Sequence, residues 1–427
     1  MKKKQRRRLS AGTIAMLALT ACVLVATAAF LFLIAGNGVY ERARAAFGML
    51  AETQEPPPVP SLEPTMELTR VPTLTATPTA EPTPTPSPGL KTFTLAAAGT
   101  VYAPKAIRES AQENGDHYDF ASIFDGLGDT LSAADLAIVT LETTTAGREK
   151  GYGNYNTSPQ LLDALRSCGV DLVALATERA LDKGYDGLDL TLSELTSRAL
   201  AYAGVYPDSG GGNATMMNID GVQVAVLSYS YGLSDEGREQ TKNDSRGVLA
   251  LMDVQKMTQD ITRARVDGAN IVVVLPHWGT KNRAETPESV RALAQTLAQA
   301  GADVILGTHP NVVQGVERLH TVRSDGLTYE TVVCYSLGCL LTDARNSENT
   351  AGMAVNLTLV YDSSTRRAYP GEMRITPLYI ARQRKDSGNV YRVVDAEDEQ
   401  ALSALSIAEQ QSAVQAALRV RQITQGE

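Results

Sequence analysis

Seven short apolar runs, at residues 93–97, 136–139, 172–175, 222–227, 271–275, 304–306 and 331–335, constrain this chain more than any other feature. Each has the length of a buried strand and gives way to a loop of polar residues. Between them lie segments with apolar residues at helical spacing, at 159–167, 188–202, 252–267 and 287–300. Strands alternating with helices require crossover connections, which produce a largely parallel or mixed α/β sheet. Runs at 353–361 and 372–379 alternate apolar and polar residues with no helix between them. They are expected to be antiparallel strands completing a second sheet or an edge.

In open α/β sheets ligands sit beyond the carboxyl ends of the strands. The stretch 301–317 shows such an end: Val304-Ile305-Leu306 stops at Gly307-Thr308-His309-Pro310, where a hydroxyl and an imidazole follow a glycine. The other strand-end loops carry Thr140-Leu141-Glu142, Thr177-Glu178-Arg179 with Asp182, His277-Trp278-Gly279 and Ser336-Leu337-Gly338-Cys339. Two of the four histidines and the single tryptophan fall in these loops. Loops converging at one sheet edge make a cleft, the layout of an α/β enzyme.

The region before the first run is of a different kind. Six of the Lys and Arg residues lie within 1–10, ahead of an uncharged segment, 11–35, long enough to cross a bilayer. The positive-inside rule puts the N-terminus in the cytoplasm and the remainder outside the cell. The segment exceeds the apolar core of a cleaved signal peptide, so a single-pass anchor is expected; lipidation at Cys22, after Leu19-Thr20-Ala21, is the alternative. A juxtamembrane segment, 36–52, leads to a Pro/Thr-rich linker at 53–89. Eleven of the 19 prolines lie there, a composition for extended spacer rather than packed core. The folded part is then a domain at 90–380, followed by a polar helical extension at 381–427.

Net charge is −9, and setting aside the six basic residues of the tail leaves −15. So acidic a body argues against a nucleic-acid groove. The four cysteines, Cys22, Cys168, Cys334 and Cys339, are too few and too scattered for a disulfide framework or zinc cluster, and buried free thiols are expected.

The order and wording of the loops resemble the CapA family, the bacterial poly-γ-glutamate capsule synthesis proteins. The resemblance is carried by 134–142, 168–176, His277-Trp278-Gly279, 301–317 and Tyr335-Ser336-Leu337-Gly338, within about 91–378. It implies a calcineurin-like metallophosphoesterase fold, an αββα sandwich, and a part in envelope polymer synthesis or export. It also implies a two-metal site, but at the matching positions the ligands differ. Thr100 stands where the family has Asp, Thr140 where it has Asn, and Thr177-Glu178-Arg179 where it has Asn-Asn-His. Lys281 replaces an acidic residue, Thr308 and Asn311 replace histidines, and Cys339 replaces Asn.

A two-ion hydrolytic site needs about four to six ligands per ion from carboxylates, imidazoles and amides. Threonine hydroxyls are poor substitutes, and Arg179 and Lys281 bring positive charge to the place of a cation. The expectation is therefore a cleft without resident metal, in which Glu142 pairs with Arg179. Its ligand-facing residues are Glu142, Arg179, Asp182, His277, Trp278, Lys281, His309 and Asn311. The alternative is one zinc or manganese ion on Glu142, His277 and His309, with the two histidines as the catalytic candidates. Thr308 and Ser336 have no evident base beside them. Three functions follow: a binding member that engages an anionic capsule or cell-wall polymer, a reduced-site hydrolase of a phosphoester or polymer amide, or a stalked module that docks capsule synthase membrane subunits.

Overall fold

The computed structural model describes residues 89–425, apart from 207–213, 245, 247 and 386–387. The expected anchor, juxtamembrane segment and linker, and Cys22, lie outside the described residues. In chain order the elements are β1 (Leu90–Val101), α1 (Lys105–Ala111), β2 (Gln112–Asn114), β3 (His117–Tyr118), α2 (Ala121–Phe124) and β4 (Leu136–Leu141). Then come α3 (Gln160–Ser167), β5 (Leu172–Ala174), α4 (Gly184–Ser197), β6 (Ala201–Ala203), β7 (Thr215–Ile219), β8 (Val222–Ser230), α5 (Asp235–Thr241) and α6 (Val254–Val266). They are followed by β9 (Ile271–His277), α7 (Glu288–Ala300), β10 (Val304–Leu306), β11 (Val316–Val322), β12 (Thr328–Cys334) and β13 (Cys339–Leu341). The chain closes with β14 (Ala351–Asp362), β15 (Arg367–Lys385), β16 (Gly388–Asp395), α8 (Glu399–Ser403) and α9 (Ile407–Gln425).

Two sheets carry the fold. One runs β16-β15-β14-β1-β4-β5-β6, with β13 beside β1; the other runs β11-β12-β10-β9-β8-β7. Strands β1, β4, β5 and β6 are parallel, as are β8, β9, β10 and β12, and the antiparallel strands lie to the outside. Alternation along each strand decides which layer a side chain joins. Leu95, Leu136, Ile138, Val224, Val226, Val273 and Val304 meet between the sheets. Ala96, Ala137, Val139 and Val173 face outward under Ile107 of α1 and Leu161 and Leu165 of α3. Ala225, Val272, Val274 and Ile305 face outward under Met257 and Ile261 of α6 and Ala294 and Leu297 of α7. Three packed layers between four structural layers make the αββα order that the resemblance implies.

Helices predicted from spacing at 159–167, 252–267 and 287–300 form as α3, α6 and α7. The fourth, 188–202, ends sooner. Helix α4 stops at Ser197, Ala199 turns with φ 54°, and Ala201–Ala203 becomes strand β6 beside β5. Leu200 is buried with Leu195 across that turn, which prolongs the apolar spacing beyond the helix itself. The 353–361 and 372–379 runs are antiparallel strands, and they extend the first sheet from β1.

The expected polar helical extension at 381–427 begins as strand. The end of β15 and all of β16 occupy 381–395, where Ala381, Tyr391, Val393 and Val394 are buried. Helix α9 then packs Ala413, Ala416, Ala417 and Val420 on the inner face of β14 and β15. Small residues every three or four positions make that face apolar while charged and amide residues set the average, so composition understated the helix's role in the core.

Two glycines let strand ends approach closely enough to form the cleft. A Cβ at Gly307 would lie 2.1 Å from the Tyr335 carbonyl and 2.4 Å from Nε1 of Trp278, and one at Gly99 2.1 Å from the Gly338 carbonyl. No side chain larger than hydrogen fits at either point. Among the described residues no helix is long and apolar enough to cross a membrane.

Candidate functional site

The carboxyl ends of both sheets open on one cleft. Thr100 and Thr140 sit side by side in the parallel register of β1 and β4, and Glu142 follows β4. Thr177-Glu178-Arg179 follow β5, Tyr231 follows β8, His277 ends β9, and His309 follows β10. A bridge between His277 and Thr308 locks the last two strand ends together. His309 takes φ 96° and Asn311 φ 60°, both in the left-handed half of the map. Such backbone costs on the order of 1–3 kcal/mol per residue and persists where surrounding structure over-determines it; here it turns the His309 ring onto His277.

Glu178 is the centre of the polar contacts. Its carboxylate accepts hydrogen bonds from the Lys281 ammonium and the Tyr231 hydroxyl. Arg179 Nε lies 3.3 Å from it and His309 Nδ1 3.9 Å. Lys281 also lies 4.0 Å from Glu142, whose other oxygen is 4.0 Å from Nε2 of His277. That second Glu142 oxygen is buried with no hydrogen-bond partner, as are the hydroxyls of Thr100, Thr140 and Thr177 and Oδ1 of Asn311.

The two histidines form a relay. Nδ1 of His277 is 3.0 Å from the Thr308 hydroxyl, and Nε2 of His277 is 3.3 Å from Nδ1 of His309. Each ring nitrogen pair needs one proton and one lone pair, so the tautomer of one ring fixes that of the other. The rings meet edge to face at 4.8 Å, and Tyr231 lies 4.4 Å from His309.

Burial sets the protonation states. It drives the imidazole of His277 well below its ordinary range and that of His309 down to about 4, with Lys281 and Arg179 adding to both. Both rings are therefore neutral at pH 7. Burial pushes Glu142 up to about 7, and the nearby cations only partly offset it. For Glu178 burial pushes upward too, but the hydrogen bonds from Lys281 and Tyr231 outweigh it and hold the carboxyl below its usual value. Asp182 is raised by burial, against the hydroxyl of Ser234 and the Arg179 guanidinium.

The expected site residues are not all brought together. Glu142, Lys281, His277 and His309 share the cleft around Glu178. Arg179 does not pair with Glu142 as expected. It turns to Glu178 and Asp182, the latter at 3.4 Å, and lays its guanidinium 3.8 Å over the Tyr155 ring. Two carboxylates next to it in sequence and an aromatic face hold it more closely than the Glu142 carboxylate across the cleft. Trp278 is buried on the far side of the strand, where Nε1 donates to the Tyr335 carbonyl at 2.9 Å. Asn311 accepts a hydrogen bond on its carbonyl from Asn349 at 2.8 Å, and shapes the loop.

Tyr231, Ser234 and Tyr155 are members of the site that sequence reasoning missed. The signal for the first two was present: Tyr231-Gly232-Leu233-Ser234 follows the 222–227 run as the other loops follow theirs. Ser234 donates to Asp182 and caps α5. Tyr155 lies on a long irregular connection between β4 and α3, with no periodic pattern to mark it.

These residues do not fit a two-ion centre. The positions that would supply a carboxylate and amides hold Thr100, Thr140 and Thr177, whose hydroxyls are buried and unpartnered. An ammonium stands between the two carboxylates that a bridging ion would need. Among the described residues no group of three or more His, Cys, Asp or Glu side chains is arranged to hold a metal ion. Cys168, Cys334 and Cys339 are free thiols.

The chain matches the model of the bacterial capsule synthesis protein family PGA_cap over residues 94–344, and it belongs to that family. It is 29% identical over 189 residues to the PGA biosynthesis protein CapA of Bacillus subtilis, covering 44% of this chain and 46% of that protein. It is 26% identical over 258 residues to the capsule biosynthesis protein CapA of Bacillus anthracis, covering 58% and 60%. The chain thus spans about half the length of these curated relatives. A solved structure with a similar course is the calcineurin-like phosphoesterase YfkN of Bacillus subtilis, at TM-score 0.38 and 13% identity, covering 78% of this chain and 97% of that one.

The raised Glu142 has a measurable consequence. An unfolded carboxyl ionises from about 4.5 upward, whereas the folded one stays protonated to about 7. Stability from this group is full below about pH 4.5, falls as pH rises to about 7, and is flat beyond, for a total of about 3 kcal/mol. Glu142→Gln is expected to stabilise the protein by about 3 kcal/mol at pH 8 and by less than about 1 kcal/mol at pH 5. Denaturant unfolding of both proteins across that range checks it, and a difference that does not grow with pH contradicts the assignment.

Proposed function

We propose that this protein is a non-catalytic, membrane-anchored member of the capsule synthesis family, which engages an anionic envelope polymer outside the cell without hydrolysing it. One observation carries the reading: the Lys281 ammonium, hydrogen-bonded to Glu178 and 4.0 Å from Glu142, stands between the carboxylates that a catalytic cation would join. A bound metal would have to displace an ammonium from a partly buried carboxylate pair, which is unfavourable unless the lysine loses its proton. The names of the Bacillus relatives, biosynthesis of PGA and of capsule, support an envelope polymer as the partner. The uncharged segment at 11–35 behind six basic residues supports the anchor and an outward-facing domain.

The cleft's charges also limit how it can act. Lys281 and Arg179 are already balanced by Glu178 and Asp182, so an incoming carboxylate gains only by exchanging with these partners. Engagement there is weak and falls with salt.

The purified full chain, given Mn²⁺ or Zn²⁺, is expected to hydrolyse a generic phosphodiester no faster than buffer does. Turnover that disappears with His309→Ala would replace this reading with a metal-dependent hydrolase. For the anchor, protease added to intact cells should degrade the domain at 89–425 and leave a short membrane-bound fragment. Complete protection of the domain would contradict an outward orientation.

A further inference from the structure

A groove lies away from the cleft. It has a volume of about 660 Å³, in the range of small-ligand sites, and runs between α9, the loop after β13 and the edge of β15. Strand β14 begins at Ala351, opposite Tyr379, so from Ile380 onward β15 has no strand on that side. The 342–350 loop and α9 close the gap instead, with the Ile380 N–H donating to the Thr350 carbonyl at 2.9 Å. Much of this wall comes from α9, β15 and β16, beyond the 94–344 region that carries the family match.

Its charge is predominantly positive. Arg345, Arg382 and Arg419 line it, with Glu409 the single carboxylate. Arg345 donates to the Tyr391 hydroxyl at 2.8 Å and Arg419 to the Ser347 carbonyl at 2.6 Å, both neutral acceptors that fix each guanidinium without cancelling its charge. The Arg382 side chain makes no hydrogen bond or ion pair among the described residues. Glu409 is held at the floor by the Tyr379 hydroxyl at 2.6 Å and the Arg382 N–H at 3.3 Å. Three arginines against one carboxylate leave a local excess of positive charge on a body that is otherwise strongly acidic. In the family cleft the cations are paired with carboxylates; here they are not.

We propose that this groove is a second binding site, for a short stretch of an oligomer bearing repeated oxyanions. Carboxylate and phosphodiester chains share that chemistry, and guanidinium groups bind both through paired N–H donors. The proposal rests on the reading that the protein handles an anionic polymer, but it moves the grip on that polymer from the cleft to α9 and β15. Hydroxyl and amide side chains between the arginines give a chain of such charges further donors along its length.

Fluorescence anisotropy with the detergent-solubilised full chain tests it, using labelled oligo-γ-glutamate, labelled oligo(glycerol phosphate) and neutral labelled dextran at low salt. One or both anionic probes should bind and dextran should not, and the anion that binds names the source. The double variant Arg345→Glu/Arg382→Glu alters exposed side chains and should weaken binding about tenfold or more. Arg148→Glu/Lys242→Glu, the same charge change elsewhere on the surface, should weaken it no more than about twofold. Binding by neither anion, or equal loss in both double variants, overturns the proposal. Loss with Lys281→Ala and none with Arg345→Glu/Arg382→Glu also overturns it, and would leave the polymer in the family cleft.

Discussion

The cleft closes on the carboxylate of Glu178. Lysine, arginine and tyrosine side chains from three different strand-end loops converge on it, and a neutral histidine pair stands beside it. Removing that carboxylate would leave an ammonium and a guanidinium facing each other with no common partner, at a cost of several kcal/mol in a partly buried site. In the reading proposed for this protein, Glu178 and Lys281 together hold the loops in the way that metal ions and their ligands would in a hydrolase.

The remaining polar atoms fit this reading. The hydroxyls of Thr100 and Thr140, paired at the ends of β1 and β4, and of Thr177 in the loop after β5 are buried and without protein partners. Buried hydroxyls of this kind are ordinarily met by ordered water. Glu142, deep among them, is half protonated near pH 7, which lowers the charge that Lys281 has to balance. The groove at α9 stands apart from this economy of charge: Arg345 and Arg419 are fixed by neutral groups, so they remain available.

Much of the fold was legible in the sequence because its signals are local. Apolar runs such as 271–275 and 304–306 could only be buried strands, and α3, α6 and α7 announced themselves by spacing. What escaped depended on contacts distant in the chain. Strand β6 is short and follows a turn at Ala199 that spacing cannot distinguish from more helix. Helix α9 buries mostly alanines, with Val420, against β14 and β15, so its composition looked solvent-facing. In the cleft, the loop positions of Glu142, His277, Lys281 and His309 were evident, but the partners were not. Arg179 was expected on Glu142, yet Asp182, three residues on, holds it together with the Tyr155 ring, which only the folded chain brings near. Trp278 follows His277 directly, and strand alternation sends it to the opposite side.

Anomalous diffraction from crystals of the protein grown with Mn²⁺ and Zn²⁺ distinguishes a metal ion in the cleft from the lysine that stands there. No anomalous peak is expected between His277 and His309, and density for the Lys281 ammonium is expected between Glu178 and Glu142. A peak about 2.1 Å from a nitrogen of either histidine, with Lys281 swung away, would contradict it.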